Sequence, residues 1–170
     1  MDSERKPLRA VPRESALVPR DPDFEARCRA SFARQGFMAL IGAEILTLAP
    51  GQCCIAVPAR PDLCQQRGFL HGGVTAAIAD SAAGYAAYSL MPARSTPLTV
   101  EFKINLMAPA VGERFLATGQ VVRAGRTLSV VEVEVAAEQA GAAKPIARML
   151  ATLMCIEDTP DTPAPGRASG

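Results

Sequence analysis

Between residues 100 and 106, Val100, Phe102, Ile104 and Leu106 alternate with Glu101, Lys103 and Asn105, and further on Val131, Val133 and Val135 alternate with Glu132 and Glu134. Successive side chains leave a strand on opposite sides, so alternation with period two marks strands that bury one face. Residues 113–123 and 146–156 supply two more apolar runs, and turns at Ala110-Val111-Gly112, Ala124-Gly125-Arg126 and Gly141 separate the four strands. Upstream, residues 42–48 and 52–58 flank Ala49-Pro50-Gly51 and predict a hairpin. A helical period governs two other segments. Residues 23–35 place Phe24, Cys28 and Phe32 four apart and stop at Gly36, and a long helix is expected from Gly72 to Tyr88. Residues 59–70 form a loop punctuated by Pro61 and Gly68. Two strands, one long helix and four strands predict an α+β fold in which one antiparallel sheet faces one helix. Residues 1–22 and 158–170 carry Pro and charge without any apolar period, so mobile tails are expected around a single domain at 23–157.

The long helix is built almost wholly from Gly, Ala and other small or apolar residues, with one acid, Asp80, in its middle. At helical spacing Asp80 neighbours Gly73, Ala76, Ala77, Ala83, Gly84 and Ala87, a face with nothing large enough to fill space and no cation to neutralise the acid. Something else must pack there, either a substrate or a second copy of the helix. A membrane span is rejected, because a central Asp costs at least about 2.5 kcal/mol on insertion scales and the segment is poor in large apolar residues. The plainer alternative is a core helix whose Asp bonds to backbone. At the helix start, Gly72 and Gly73 would present bare backbone N–H groups where the helix dipole favours an anion or oxyanion.

Composition narrows the possibilities. The chain has 170 residues, 49% of them hydrophobic and 21% charged, enough for one domain with its own core. A net charge of +1 offers no basic stripe for nucleic acid. The five cysteines are odd in number and form no C-x-x-C pair, which suggests neither a zinc site nor a disulfide framework, and no cofactor is implied. Residues 1–7 lack the apolar core of a signal peptide, so a reducing cytoplasm is the expected compartment. A single histidine, His71, excludes any His-rich metal centre. It is adjacent to the candidate site and is kept as a catalytic candidate, although a His before a helix start commonly caps backbone.

Three segments together carry a resemblance: Gly68-Phe-Leu-His71-Gly72-Gly73 with Asp80 seven residues further on, Leu98-Thr-Val-Glu-Phe-Lys-Ile-Asn105, and Val-Val-Arg123-Ala-Gly125-Arg126-Thr-Leu. Over residues 36–156 the chain resembles hotdog-fold acyl-CoA thioesterases of the phenylacetate-pathway (PaaI-like) type. The resemblance implies a sheet wrapped around a central helix, homodimers or dimers of dimers, and hydrolysis of a CoA thioester. It also implies roles for particular residues. The catalytic acid falls on Asp80, the N–H that polarises the thioester carbonyl on Gly72, an upstream amide side chain on Gln65, and a hydroxyl that orients water on Thr99. Arg123 and the turn residues Gly125 and Arg126 fall where CoA phosphates would be held. Gly73 and Gly84 complete the expected substrate surface. A hotdog dehydratase and a non-catalytic acyl-CoA sensor are the rival readings.

Spacing adds a geometric condition. Asp80 lies eight residues beyond Gly72, about 12 Å along a helix axis at 1.5 Å per residue. Attack on a carbonyl held at the helix start needs reacting atoms about 3 to 3.5 Å apart. One chain cannot provide both groups, whereas two antiparallel helices about a two-fold axis can. A site shared across a homodimer is therefore expected.

Overall fold

The computed structural model describes residues 17–159 and 161. The notional tail residues 1–16, 160 and 162–170 lie outside that range. Helices α1 (Phe24–Phe32) and α2 (Gly36–Ile41) precede the hairpin β1 (Glu44–Ala49) and β2 (Gln52–Pro58). The long helix α3 (Gly72–Tyr88) follows, and then β3 (Ser95–Leu106), β4 (Arg114–Ala124), β5 (Leu128–Gln139) and β6 (Ala142–Glu157). The strands form one antiparallel sheet in the order β1-β2-β4-β5-β6-β3, curled around α3 in the hotdog arrangement.

The small side chains of α3 are what let it lie inside the sheet. Ala79, Ala82, Ala83, Ala86 and Ala87 are fully buried against the strands. Opposite them, a Cβ on Gly119 of β4 would come within 2.7 Å of the Ala82 carbonyl, so only glycine permits this approach of backbone to backbone. The Asp80 face is thereby split. Ala83 and Ala87 turn into the core, and Ala76, Ala77, Asp80, Ser81 and Gly84 keep partial exposure. The far end of α3 is tied down by Arg27 of α1, whose guanidinium donates to the carbonyls of Tyr88 and Met91 and stacks over the Tyr88 ring.

Several expectations need correction. The helix expected over 23–35 ends at Phe32, and Gly36 opens a second helix. Gly42 then closes that helix in the left-handed conformation at φ 71°, so it caps α2 and does not begin the first strand. Residues 17–22, assigned to a tail, pack on the fold. Leu17 lies against the core, and Asp21 is buried and holds Arg27 at 2.6 Å. The expected loop at 59–70 contains a short 3-10 turn at Pro61–Leu63 and a bridge between Cys64 and Leu70.

The largest correction concerns β3. Its pairing with β6 shifts by one residue between Thr99 and Glu101, leaving Val100 as a bulge. Downstream of the bulge, Phe102, Ile104 and Leu106 pair with Ala151, Met149 and Ala147 and share their inward face. Upstream, Thr99 pairs with the buried Leu153 and also points inward. An unbroken alternation would have put Thr99 on the face of Glu101 and Lys103, away from α3. Among the described strands β3 pairs with β6 alone, so its outer edge is open, and Leu98, Val100 and Leu106 are each at least half exposed along it.

Candidate active site

Asp80 reaches the surface through a cavity of about 200 Å³ bordered by Ser81, Gly84, Tyr85 and Thr99. The Thr99 hydroxyl, turned inward by the bulge, donates to Asp80 Oδ1 at 2.8 Å. That bond holds one carboxyl oxygen, and no other hydrogen bond to Asp80 is made by the side chains among the described residues. None of the ion pairs among the described residues involves Asp80. Burial pushes its pKa above the ordinary 3.8, and the Thr99 hydrogen bond pulls weakly the other way. A half-buried acid with one hydrogen bond and no counter-ion holds a proton more readily than a free carboxyl and is a candidate functional group.

At the start of α3, His71 is the N-cap. Its Nδ1 accepts the Gly73 N–H at 2.9 Å, and its carbonyl accepts from Val74 and Thr75. Gly73 is thus not the bare donor expected of it. The Gly72 N–H has no acceptor among the described residues, and a Cβ at Gly72 would lie 3.0 Å from Leu106 Cδ1 of β3. Gly72 and Asp80 therefore sit along one helix beside the same open strand edge, one near Leu106 and the other against Thr99.

The remaining candidates are dispersed. Gln65 lies in the loop before α3, where its side-chain oxygen accepts the Arg67 N–H and supports the turn to Gly68. Gly84 lines the Asp80 cavity, one helical turn on. Gly125 and Arg126 lie in the β4–β5 turn and border a different cavity, of about 340 Å³, with Leu17, Arg20 and Leu90 at the far end of α3. Arg20 donates to the Arg126 carbonyl, and the side chains of Arg123 and Arg126 are exposed. Within one chain these residues and Asp80 do not share a cavity. No group of three or more His, Cys, Asp or Glu side chains among the described residues is placed to hold a metal ion. Sequence reasoning missed Ser31 and Gln35, which line the Asp80 cavity from α1 and the turn after it. Their i,i+4 spacing was a faint signal, since it puts two polar residues on one helical side.

The family model described as the Thioesterase superfamily matches residues 67–144, from the turn before His71 to the start of β6. A crystal structure of a thioesterase family protein from Silicibacter pomeroyi is 47% identical, covers 79% of this chain and 98% of its own, and superposes with a TM-score of 0.78. The chain belongs to the thioesterase superfamily. Human acyl-coenzyme A thioesterase 13 is 29% identical over 99 residues, 57% of this chain and 69% of that protein. The E. coli PaaI protein from the phenylacetic acid degradation operon, at 18% identity and a TM-score of 0.71 over 81% of this chain and 96% of that one, shares the fold. A protein from Saccharolobus solfataricus named as a putative esterase is 32% identical over 91 residues, and this chain spans 64% of its length. Within this superfamily chain, Gly72, Asp80 and Thr99 all fall inside the matched segment, while Ser31 and Gln35 fall outside it.

Proposed function

We propose that this chain hydrolyses an acyl-CoA thioester to a free acid and CoA, at sites shared between two copies. The observation that carries this reading is the pairing of an isolated, half-buried Asp80 with an unbonded Gly72 N–H along one helix, beside an unpaired edge strand. A long, apolar, open edge is a template for another strand. If two β3 edges pair antiparallel about a two-fold axis, the sheets become continuous and the two α3 helices run antiparallel beneath them. The start of one helix then approaches the middle of the other. The Gly72 N–H of one copy and Asp80 of the other come to flank a single thioester carbonyl, twice per dimer.

The chemistry follows from the charges. Water attacks the carbonyl carbon, Asp80 Oδ2 takes its proton, and the Gly72 N–H with the positive helix end holds the oxyanion, a contribution of roughly 2.7 to 4 kcal/mol for one good donor. Collapse breaks the C–S bond, and the departing CoA thiolate recovers the proton from Asp80. Direct attack by Asp80 to give an anhydride is the alternative course. The Thr99 hydrogen bond supports the water route, because it steadies one carboxylate oxygen and leaves the other to face water. Engagement of His71 Nδ1 as a cap speaks against the dehydratase reading. The quaternary reading is a homodimer that can pair again into a dimer of dimers. No helix among the described residues is long and apolar enough to cross a membrane, and the five free cysteines suit the reducing cytoplasm proposed for this chain.

The deciding measurement is release of free thiol over a series of acyl-CoA substrates. Hydrolysis of none of them by a dimeric, folded protein would overturn the reading. Two further results are expected. The rise of kcat/KM with pH should have its midpoint above 3.8, because burial favours the neutral carboxyl. Thr99→Val removes the bond that favours the ionised form and should move that midpoint to still higher pH, and an unmoved midpoint would separate Thr99 from the working base. Arg126→Ala should raise KM for acyl-CoA several-fold with kcat little changed, since a guanidinium in an exposed turn contributes charge-assisted contacts to phosphate and no chemistry. The effect should shrink as salt rises and vanish for a short thioester lacking the nucleotide. Equal KM values would send the search for CoA contacts to Arg123 and Lys103.

A further inference from the structure

The cavity that reaches Asp80 is unusual in what closes its far side. Tyr85 of α3 is buried, and its hydroxyl accepts from Gln35 Nε2 at 2.9 Å and shares a hydrogen bond with Ser31 Oγ at 3.1 Å. Ser81 adds a hydroxyl beside Asp80, so the wall is polar from the acid to the far end. Tyr85 stays a neutral phenol, since burial pushes its pKa up to about 12. The network is incompletely used. Gln35 is half-buried, and with one N–H directed to Tyr85 it keeps its second N–H and its carbonyl oxygen for a further partner. An alkyl chain entering this space would strip water from these groups and return no hydrogen bond, which is the situation that sites built around polar groups reject most strongly. The volume, about 200 Å³, also favours a compact group.

Charge narrows the choice further. Asp80 is one wall, and Asp161, held by Arg34 at 2.8 Å, is another. Arg34 pairs the charge of Asp161, whereas Asp80 has no counter-ion among the described residues, and its charge disfavours an acyl group that ends in a carboxylate of its own. We infer that Ser31, Gln35 and Tyr85 form a specificity wall that selects a compact, uncharged acyl group bearing a hydroxyl or carbonyl at its far end. This inference rests on the thioesterase reading for the placement of the thioester at Asp80. It assigns to α1 and the turn that follows it, which lie outside the segment matched by the family model, the task of choosing the substrate.

The test uses thioether analogues of acyl-CoA, which bind but cannot be hydrolysed, in pairs that differ only by a terminal hydroxyl: butyl, hexyl and octyl chains with and without it. Calorimetry on the full-length protein should show, for the chain length that reaches the wall, affinity on the order of tenfold tighter for the hydroxylated member. The corresponding carboxyl-terminated analogue should bind more weakly than either. Gln35→Leu keeps the volume and removes the polar group, and should reduce the preference to about twofold or reverse it. Tyr85→Phe should act in the same direction, and because Tyr85 is buried the half-buried Gln35 serves as the variant that stands if the tyrosine variant folds poorly. Equal affinity of wild type for both members at every length, or a preference undiminished in Gln35→Leu, overturns the inference. Hydrolysis of plain acyl-CoA without any such preference would remove the wall and leave the thioesterase reading intact. The preference without hydrolysis of any thioester would do the reverse.

Discussion

Asp80→Asn is expected to lower kcat for acyl-CoA hydrolysis by at least about a hundredfold, the scale of a lost acid–base group, while the protein remains folded and at least as stable as wild type. The two halves of this expectation share a cause. Burial raises the folded-state pKa of Asp80 above 3.8, so the neutral carboxyl is the form the fold prefers. Its contribution to stability is fully present below the unfolded-state value and is lost as pH rises through the raised folded-state value. At neutral pH the ionised side chain is therefore a load that a neutral isostere removes. Asn can still accept the Thr99 hydroxyl through its carbonyl oxygen, which keeps the local geometry. Thiol release and thermal melting at neutral pH measure both halves. Full activity in a well-folded Asp80→Asn protein would sink the mechanism, and a marked loss of stability would show that the carboxylate serves the fold.

The proposed sharing of the site between two copies makes the second large expectation. Gly72→Pro and Asp80→Asn proteins should each be inactive alone and should recover activity when mixed. In the heterodimer, the Asp80→Asn chain lends its Gly72 N–H to the intact Asp80 of its partner, so one of two sites is whole. An equal statistical mixture should reach roughly a quarter of wild-type activity per chain. Proline is well suited to the task at this position. Gly72 is the first residue of α3, where proline is tolerated and the N–H it removes is not part of the helix ladder. The preceding His71 is already extended at φ −63°, ψ 135°, as a residue before proline must be. A Cβ at Gly72 would meet only the Leu106 Cδ1, at 3.0 Å, an exposed leucine end that can move. If subunit exchange is demonstrated and activity stays absent, the carbonyl-binding N–H does not come from the partner's helix.

Much of this arrangement is written in local sequence. The alternation at Val131, Val133 and Val135, the Ala49-Pro50-Gly51 turn and the small-residue run of α3 each depend on neighbours a few positions apart, so six strands and one central helix can be read from the chain. Asp80 was legible for the same reason: an acid on a helix of alanines has no local partner, whatever the rest of the chain does. The spacing to Gly72 was also readable, because the rise of a helix is a property of the backbone.

What the sequence could not decide was set by contacts distant along the chain. Thr99 stands on the Asp80 side of β3 only because the register with β6 slips at Val100, and nothing in the alternation of residues 100–106 announces the slip. Period two records the order of side chains within a strand, while a bulge is defined by two residues facing one on the neighbouring strand. His71 and Gly73 were adjacent in sequence, yet that the imidazole takes the Gly73 N–H and leaves the Gly72 N–H unbonded depended on the turn that delivers the chain to α3. Ser31 and Gln35 reach the Asp80 cavity from about fifty residues upstream, through Tyr85. Residues 17–22 are ordered by Arg27 and the end of α3 and not by any pattern of their own. By itself the sequence determined the elements, the lone acid and its distance from the helix start, since these follow from backbone geometry and near neighbours. Only the tertiary structure decided which hydroxyl holds that acid, which N–H stays unbonded and what lines the cavity at Asp80, because each depends on the register of strands and helices brought together from far apart.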